Sequence, residues 1–413
     1  MRYNRDNYVM KKNIFTGLDI GTSTIRAVWG YLERGQLRIL GAKRKESQGM
    51  RNGMIVDMDE ARKAVVEFCA EIEVPVREAF KDTYVNVGGY QSIARPSRGV
   101  VAVARADGEI AYDDIDRVVQ ASQAINLPLN RSILHVIPRE YYVDGVAIKD
   151  PLGMNGIRLE VDSLVIDTFS PVVKNITKCL EPNVRIGGII FSPLASSRSV
   201  VTKNEREIGV VVLDIGAGTT SITVFEEGKL LHASIFPVGS NRITNDIAIG
   251  LKIPVEAAEK VKLMYAGTSD EVSRKEVVEL SRIDPSLEGK VSKRFIAEII
   301  EARLAEIFDF VKTELKSIGD KRLPGGIVLI GGGSRLNGLP DLVKDELKMV
   351  VRVGEPLRVT CEDSGIEEMV SRPEFATAMG LLFWGADEKI SGAGETEKGF
   401  LNKVKKVFKI FIP

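Results

Sequence analysis

Short apolar, β-type runs punctuate this chain, and three of them end in glycine-rich turns. Residues 14–20 and 25–29 flank the first turn, 210–215 and 221–225 flank the second, and 325–330 lead into the third. Between the first two turns the rhythm changes. A strand at 84–87 and another at 99–104 precede a helix at 111–122 with acids in its first turn, and strands follow at 132–136, 140–143 and 157–166. That stretch, 88–166, has the pattern of a small α+β domain inserted into a larger α/β unit. Beyond the second turn the period becomes helical, from Ser240, again from Pro254, and over 299–307, before the third strand and a helix starting at Leu339. A last core helix is expected at 371–386, with small residues for close packing.

The turns carry the candidate chemistry. Gly17-Leu18-Asp19-Ile20-Gly21-Thr22-Ser23-Thr24 and Leu213-Asp214-Ile215-Gly216-Ala217-Gly218-Thr219-Thr220 repeat one Asp-Ile-Gly signature. Small residues there let backbone N–H groups approach a polyphosphate closely, and hydroxyls of Thr22, Ser23, Thr24, Thr219 and Thr220 add hydrogen bonds. One Asp-x-Gly is an ordinary hairpin turn, but two copies suggest two phosphate-binding hairpins facing one nucleotide. Asp19 and Asp214 would then orient a magnesium ion through its water shell. The third turn, Gly331-Gly332-Gly333-Ser334, suits a flat adenosine lying against the main chain.

The C-terminus is different in kind. Residues 387–399 are rich in glycine and charge, the composition of a flexible linker. In 400–413, Phe400, Leu401, Val404, Val407, Phe408 and Phe411 share one helical face, while Lys403, Lys405, Lys406 and Lys409 supply positive charge without an acid. Such a helix lies on an anionic membrane rather than crossing it.

Composition narrows the classes. At 413 residues and 44% hydrophobic the chain has material for several domains, and 57 basic against 57 acidic residues give no overall nucleic-acid signature. Three scattered cysteines and two histidines, His135 and His232, both in apolar runs, make zinc or histidine-triad chemistry an unpromising reading. No leader-like or spanning apolar stretch is evident, so a cytoplasmic protein is expected.

The order of strands, paired Asp-Ile-Gly turns and Gly-Gly-Gly resembles the actin, Hsp70 and sugar-kinase superfamily, which implies ATP and Mg²⁺ in a cleft between two α/β lobes. Within the insertion, Ile133-Leu134-His135-Val136-Ile137-Pro138-Arg139-Glu140-Tyr141-Tyr142 and Lys149-Asp150-Pro151-Leu152-Gly153 resemble the FtsA family of bacterial cell-division proteins. The related pilus-assembly protein PilM shares such an insertion. The resemblance implies an actin-like two-lobed fold: 13–87, 167–206 and 371–386 in subdomain 1A, 88–166 in 1C, 207–240 and 304–370 in 2A, 241–303 in 2B. A linker at 387–399 and a membrane-targeting amphipathic helix at 400–413 complete it.

The same resemblance nominates Glu259 and Lys262, in Ala-Glu-x-x-Lys, for the ribose and adenine, although that spacing also suits an exposed ion pair. It assigns Arg303 and Glu306, with Lys293 and Arg294 adding charge, to binding the C-terminal peptide of the tubulin-like protein FtsZ. It further implies self-association into filaments, later division proteins as partners, and a place on the cytoplasmic side of the inner membrane at the septum. Ser192 stands where Hsp70 and MreB-like actins carry a glutamate, which implies ATP binding with slow or no hydrolysis. A PilM-like pilus scaffold and an ATP-dependent phosphotransferase of the same superfamily are the alternatives.

Overall fold

The structure is a computed structural model describing residues 13–72, 78–265, 267, 276–319 and 321–392. The amphipathic tail expected at 400–413 and the linker beyond residue 392 lie outside the described residues.

Two sheets carry the two lobes, and they share one plan. In the first, Gln36–Glu46, Thr24–Glu33 and Phe15–Ile20 form an antiparallel meander, continued in parallel by Thr83–Val87 and Ile186–Phe191. In the second, Lys229–Phe236, Thr220–Glu226 and Val210–Ile215 form the same meander, continued in parallel by Ile327–Ile330 and Val351–Val353. The strands next to both Asp-Ile-Gly turns are almost wholly buried. Their near-continuous apolar runs are therefore explained by helices covering both sheet faces.

Two helices fill the space between the lobes. Ser192–Val200 and Ala376–Gly392 pack so closely that a Cβ on Gly380 would lie 1.6 Å from the Ala195 carbonyl oxygen. A core of Leu194, Ala195, Leu381 and Trp384 joins Ile190 of the first sheet to Val212 and Ile330 of the second. Ser192, read from the sequence as part of a connecting segment, is in fact the first residue of that helix.

The final helix corrects the sequence reading. It does not stop before residue 387 but continues to Gly392, through residues read as linker. The charges that suggested a linker are used as anchors: Arg198 holds Asp387 bidentately at 2.8 and 3.1 Å, Tyr84 donates to Glu388 at 3.0 Å, and Lys389 pairs with Asp82. Local composition could not reveal partners some 190 to 307 positions away.

The insertion is an antiparallel sheet in the order Ile93–Ala102, Arg158–Phe169, Arg131–Val143, Val146–Ile148, with helix Tyr112–Ala121 against it. Two strands expected at 132–136 and 140–143 are one. Pro138 cannot donate to the ladder, and a register shift opposite Asp162 and Ser163 skips Arg139, absorbing the proline in a bulge. The first strand begins at Ile93 rather than 99. This sheet also reaches the second lobe, where Lys229 pairs with Glu140 at 2.9 Å and Arg139 donates to the Leu231 carbonyl at 3.4 Å.

Both histidines pack, but each also has a polar partner. His135 is buried, its Nε2 accepting the Phe191 N–H at 3.0 Å beside Trp384. His232 is partly exposed and contacts Glu314. No described helix is long and apolar enough to cross a membrane.

Candidate functional site

The equivalent meanders bring their first turns face to face. Each turn closes in the same way, Gly21 N–H donating to the Thr24 carbonyl at 3.1 Å and Gly216 N–H to that of Thr219 at 2.9 Å. Between them lies a cleft of about 1130 Å³. Asp19, Gly21, Thr22, Ser23 and Thr24 line it from one side, and Asp214, Gly216, Ala217 and Thr219 from the other. Gly331, Gly332 and Gly333 close the far end. Gly331 has a φ of +83°, and a Cβ there would meet Asp214 Oδ1 at 2.3 Å, so glycine is required for the carboxylate to lie against this turn.

Three expected contacts fall elsewhere. Gly218 sits against Thr22 and lines a small adjoining cavity of about 170 Å³ instead of the main cleft. Thr220 is fully buried in its strand and does not line the cleft, because strand alternation turns it inward. Ser334 is buried, and its hydroxyl donates to the Gly331 carbonyl at 2.7 Å, so it holds the glycine turn from behind.

Glu259 and Lys262 are not an exposed surface pair. Helix Val255–Tyr265 packs on Ser240–Leu251, and both residues line the cleft. Lys262 is 5% exposed, with Nζ 2.7 Å from Glu259, 2.9 Å from the Thr244 hydroxyl and 3.5 Å from the Ser240 carbonyl. A buried ammonium needs such a set of acceptors, and the short reach of Glu259 toward Thr244 ties the two helices together.

Electrostatics mark the base of the cleft. Burial pushes Asp19 up to about 6 despite the Arg26 guanidinium beside it, and burial together with the charge of Asp19 pushes Asp214 up to about 7. A buried Asp19 whose charge disfavours that of the half-buried Asp214 makes this end of the cleft favour a cation. Among the described residues no cluster of three or more acids, histidines or cysteines could hold one alone. The donor set therefore fits a hard ion such as Mg²⁺ that keeps its waters and takes further oxygens from a phosphate chain. A polyphosphate fits too, since Gly21, Gly216 and Ala217 put no bulky side chain between the cleft and the backbone of the two turns.

The sequence reading missed Arg26, Asn86 and Thr244. A hairpin symmetric about the turn 21–24 already pairs Asp19 with Arg26, so that cation was legible from register alone. Asn86 was not, because it reaches Asp19 from another strand 67 positions away.

The proposed partner-binding residues lie on or at the start of helix Lys293–Ser317, and each is engaged within the chain. Arg303 holds Asp246 bidentately at 2.6 and 3.0 Å and also contacts Glu306. Lys293 pairs with Glu276 at 2.6 Å and Arg294 with Glu298 at 3.1 Å.

Comparison with known proteins adds the relatives. The family model described as cell division protein FtsA matches residues 211–380, and that of the SHS2 domain inserted in FtsA matches 89–167. The cell division protein FtsA of Pseudomonas aeruginosa is 32% identical over 396 residues, covering 95% of this chain and 94% of its own. Among solved structures, the PilM-PilN type IV pilus biogenesis complex matches with a TM-score of 0.61 at 19% identity, over 90% of this chain and 98% of that chain. MreB 5 of Spiroplasma citri bound to AMPPNP matches at 0.55 and 12% identity, over 92% and 99%. The two structural likenesses speak to fold, and with the two sheets they make the architecture actin-like, α/β and two-lobed, with an SHS2 insertion.

Proposed function

The chain belongs to the FtsA family of cell-division proteins, and from that premise we propose that it is an ATP-binding, self-assembling tether that links FtsZ filaments to the cytoplasmic membrane at the septum. What supports this reading is one combination in one chain: paired phosphate turns, the SHS2 insertion and a lysine-rich amphipathic tail. ATP occupies the cleft with its phosphates between the two Asp-Ile-Gly turns and its sugar near Glu259 and Lys262, and Mg²⁺ sits at Asp19 and Asp214. Nucleotide state governs assembly rather than fuelling fast turnover, because Ser192 offers no carboxylate base near neutral pH. The FtsZ C-terminal peptide docks on the helix carrying Arg303 and Glu306, exchanging some internal ion pairs for intermolecular ones, with Lys293 and Arg294 at the margin. Filament formation and later division proteins engage the insertion.

The tail sets the strength of membrane attachment. Each large apolar side chain buried contributes at most about 1.5 to 3 kcal/mol and each lysine at an anionic surface about 1 kcal/mol, opposed by the cost of ordering the helix. A single tail then binds reversibly, and a filament displaying many binds by avidity. Co-sedimentation of the whole chain with anionic liposomes tests this: Phe408→Glu is expected to lose pelleting that the unaltered chain shows, and equal pelleting would refute the tail's role. For the partner, capture on an FtsZ C-terminal peptide is expected to fail with Arg303→Glu. Retention of a pilus-assembly component instead would overturn the cell-division reading.

A further inference from the structure

Strand Ile327–Ile330 runs into the glycine triplet of the cleft, and a separate cavity of about 660 Å³ opens before its other end. Three segments build it: the C-terminal end of helix Lys293–Ser317, residues 321–324 and residues 348–350. Gly326 lets them meet. Its φ is +67°, a Cβ there would lie 2.2 Å from the Val350 carbonyl oxygen, and the Ile327 N–H donates to that same oxygen at 2.7 Å.

The walls of this cavity divide by chemistry. Leu315, Ile318, Leu323 and Met349 are partly buried and continue the core of the second lobe, while Val350 is 71% exposed. Around them stand Lys316, Lys321, Arg322 and Lys348. Lys321 pairs with Glu226 at 2.6 Å, and the other three form no ion pair with a described residue. No acid lines the cavity among the described residues, and Asp320, the one acid within 315–324, lies outside them. Lys316 and Lys348 sit at helix C-termini, where a cation complements the backbone dipole, but that accounts for only two of the four. An apolar floor rimmed by cations fits an amphiphile with an anionic head, and the volume is that of a small-molecule site.

Its neighbours point to which amphiphile. Near the end of helix Ala376–Gly392, Asp387 is held by Arg198, and the charges of both reach Arg206 in the short helix Lys203–Ile208. Gly209, next after that helix, packs on the cavity wall, where its Cβ would lie 3.0 Å from Leu323 and 3.2 Å from the Arg322 carbonyl oxygen. Ile208 between them is 53% exposed. The cavity is thus one short helix away from the place where the chain continues toward its lysine-rich tail.

We propose that this cavity is a second lipid contact, carried by the folded body: it takes the phosphate-bearing head and first acyl carbons of an anionic phospholipid. This rests on the membrane reading of the tail. The tail then supplies attachment and the cavity supplies orientation, since a second tethered contact fixes which face of the subunit meets the bilayer.

Titration of the full chain with dihexanoyl phosphatidylglycerol below its micelle concentration, read by calorimetry, tests the site apart from the bilayer. Each cation removed is expected to weaken binding about fivefold, so Arg322→Gln combined with Lys348→Gln should weaken it about twenty-fivefold. Phe408→Glu is expected to leave it within about twofold, because the tail is a separate contact. Neither dihexanoyl phosphatidylcholine nor inorganic phosphate is expected to compete. Unchanged binding by the double variant, loss of binding in Phe408→Glu, or displacement by inorganic phosphate at matching concentration overturns the proposal. So does a double variant that fails to self-assemble without lipid, since the surface would then join copies of this chain. No binding by the unaltered chain also overturns it, while liposome pelleting that depends on Phe408 would leave the tail reading standing.

Discussion

At the scale of single residues, His135 shows how burial converts to pH dependence. It is buried, and desolvation holds it down to about 4 from the ordinary 6.5, with Nε2 already accepting the Phe191 N–H. Between those values the unfolded chain binds the proton and the folded chain does not, so stability falls as pH drops from 6.5 toward 4. From pH 7 to pH 5 this one group should cost about 2 kcal/mol. His135→Gln keeps an acceptor without the titration, so its urea midpoint should fall less over that range. An equal fall in both proteins would count against the assignment. Ser192 supplies a second prediction. Its hydroxyl lines the cleft beside Asn86, and a carboxylate there could act on water, so Ser192→Glu should release phosphate from Mg-ATP at least about tenfold faster. Unchanged release would show that the missing base is not what limits hydrolysis.

At the scale of elements, the contact between Ser192–Val200 and Ala376–Gly392 decides how the lobes are joined. Replacing Gly380 by alanine gains about 1 kcal/mol of helix propensity. Against that, the new Cβ would meet the Ala195 carbonyl oxygen at 1.6 Å, and prising apart two packed helices costs about 3 kcal/mol, so overpacking wins. Gly380→Ala should therefore lower the denaturant midpoint, and an unchanged or higher midpoint would mean the helices have room to slide. The continuation of the second helix to Gly392 has the same origin as its anchoring. Three ion-pair and hydrogen-bond contacts, from Asp387, Glu388 and Lys389, hold a segment whose composition alone reads as linker.

At the scale of the whole molecule, the cleft belongs to neither lobe alone, since Thr22 and Asn86 come from the first and Asp214 and Lys262 from the second. A ligand bridging them should stabilise the entire chain. Mg-ATP at a hundredfold excess over its dissociation constant is expected to add about 2.7 kcal/mol to unfolding, seen as a raised melting temperature with both lobes shifting together. A shift confined to one of two separate transitions would argue against a shared site. Much of this architecture was legible beforehand. Strand positions, the two Asp-Ile-Gly turns and the glycine triplet follow from period-2 apolar runs and small-residue turns, which are local properties of the chain. The ladder interior was less so, because a bulge that absorbs Pro138 depends on the neighbouring strand. What the sequence determined by itself was the pair of Asp-Ile-Gly turns and the glycine triplet that line one cleft. Only the tertiary structure decided that Lys262 is buried, that Thr220 and Ser334 face away from the cleft, and that Asp19 and Asp214 are unequal. Those outcomes depend on groups brought together across tens to hundreds of positions, such as Asn86 beside Asp19, and burial and partnership in space set their chemistry.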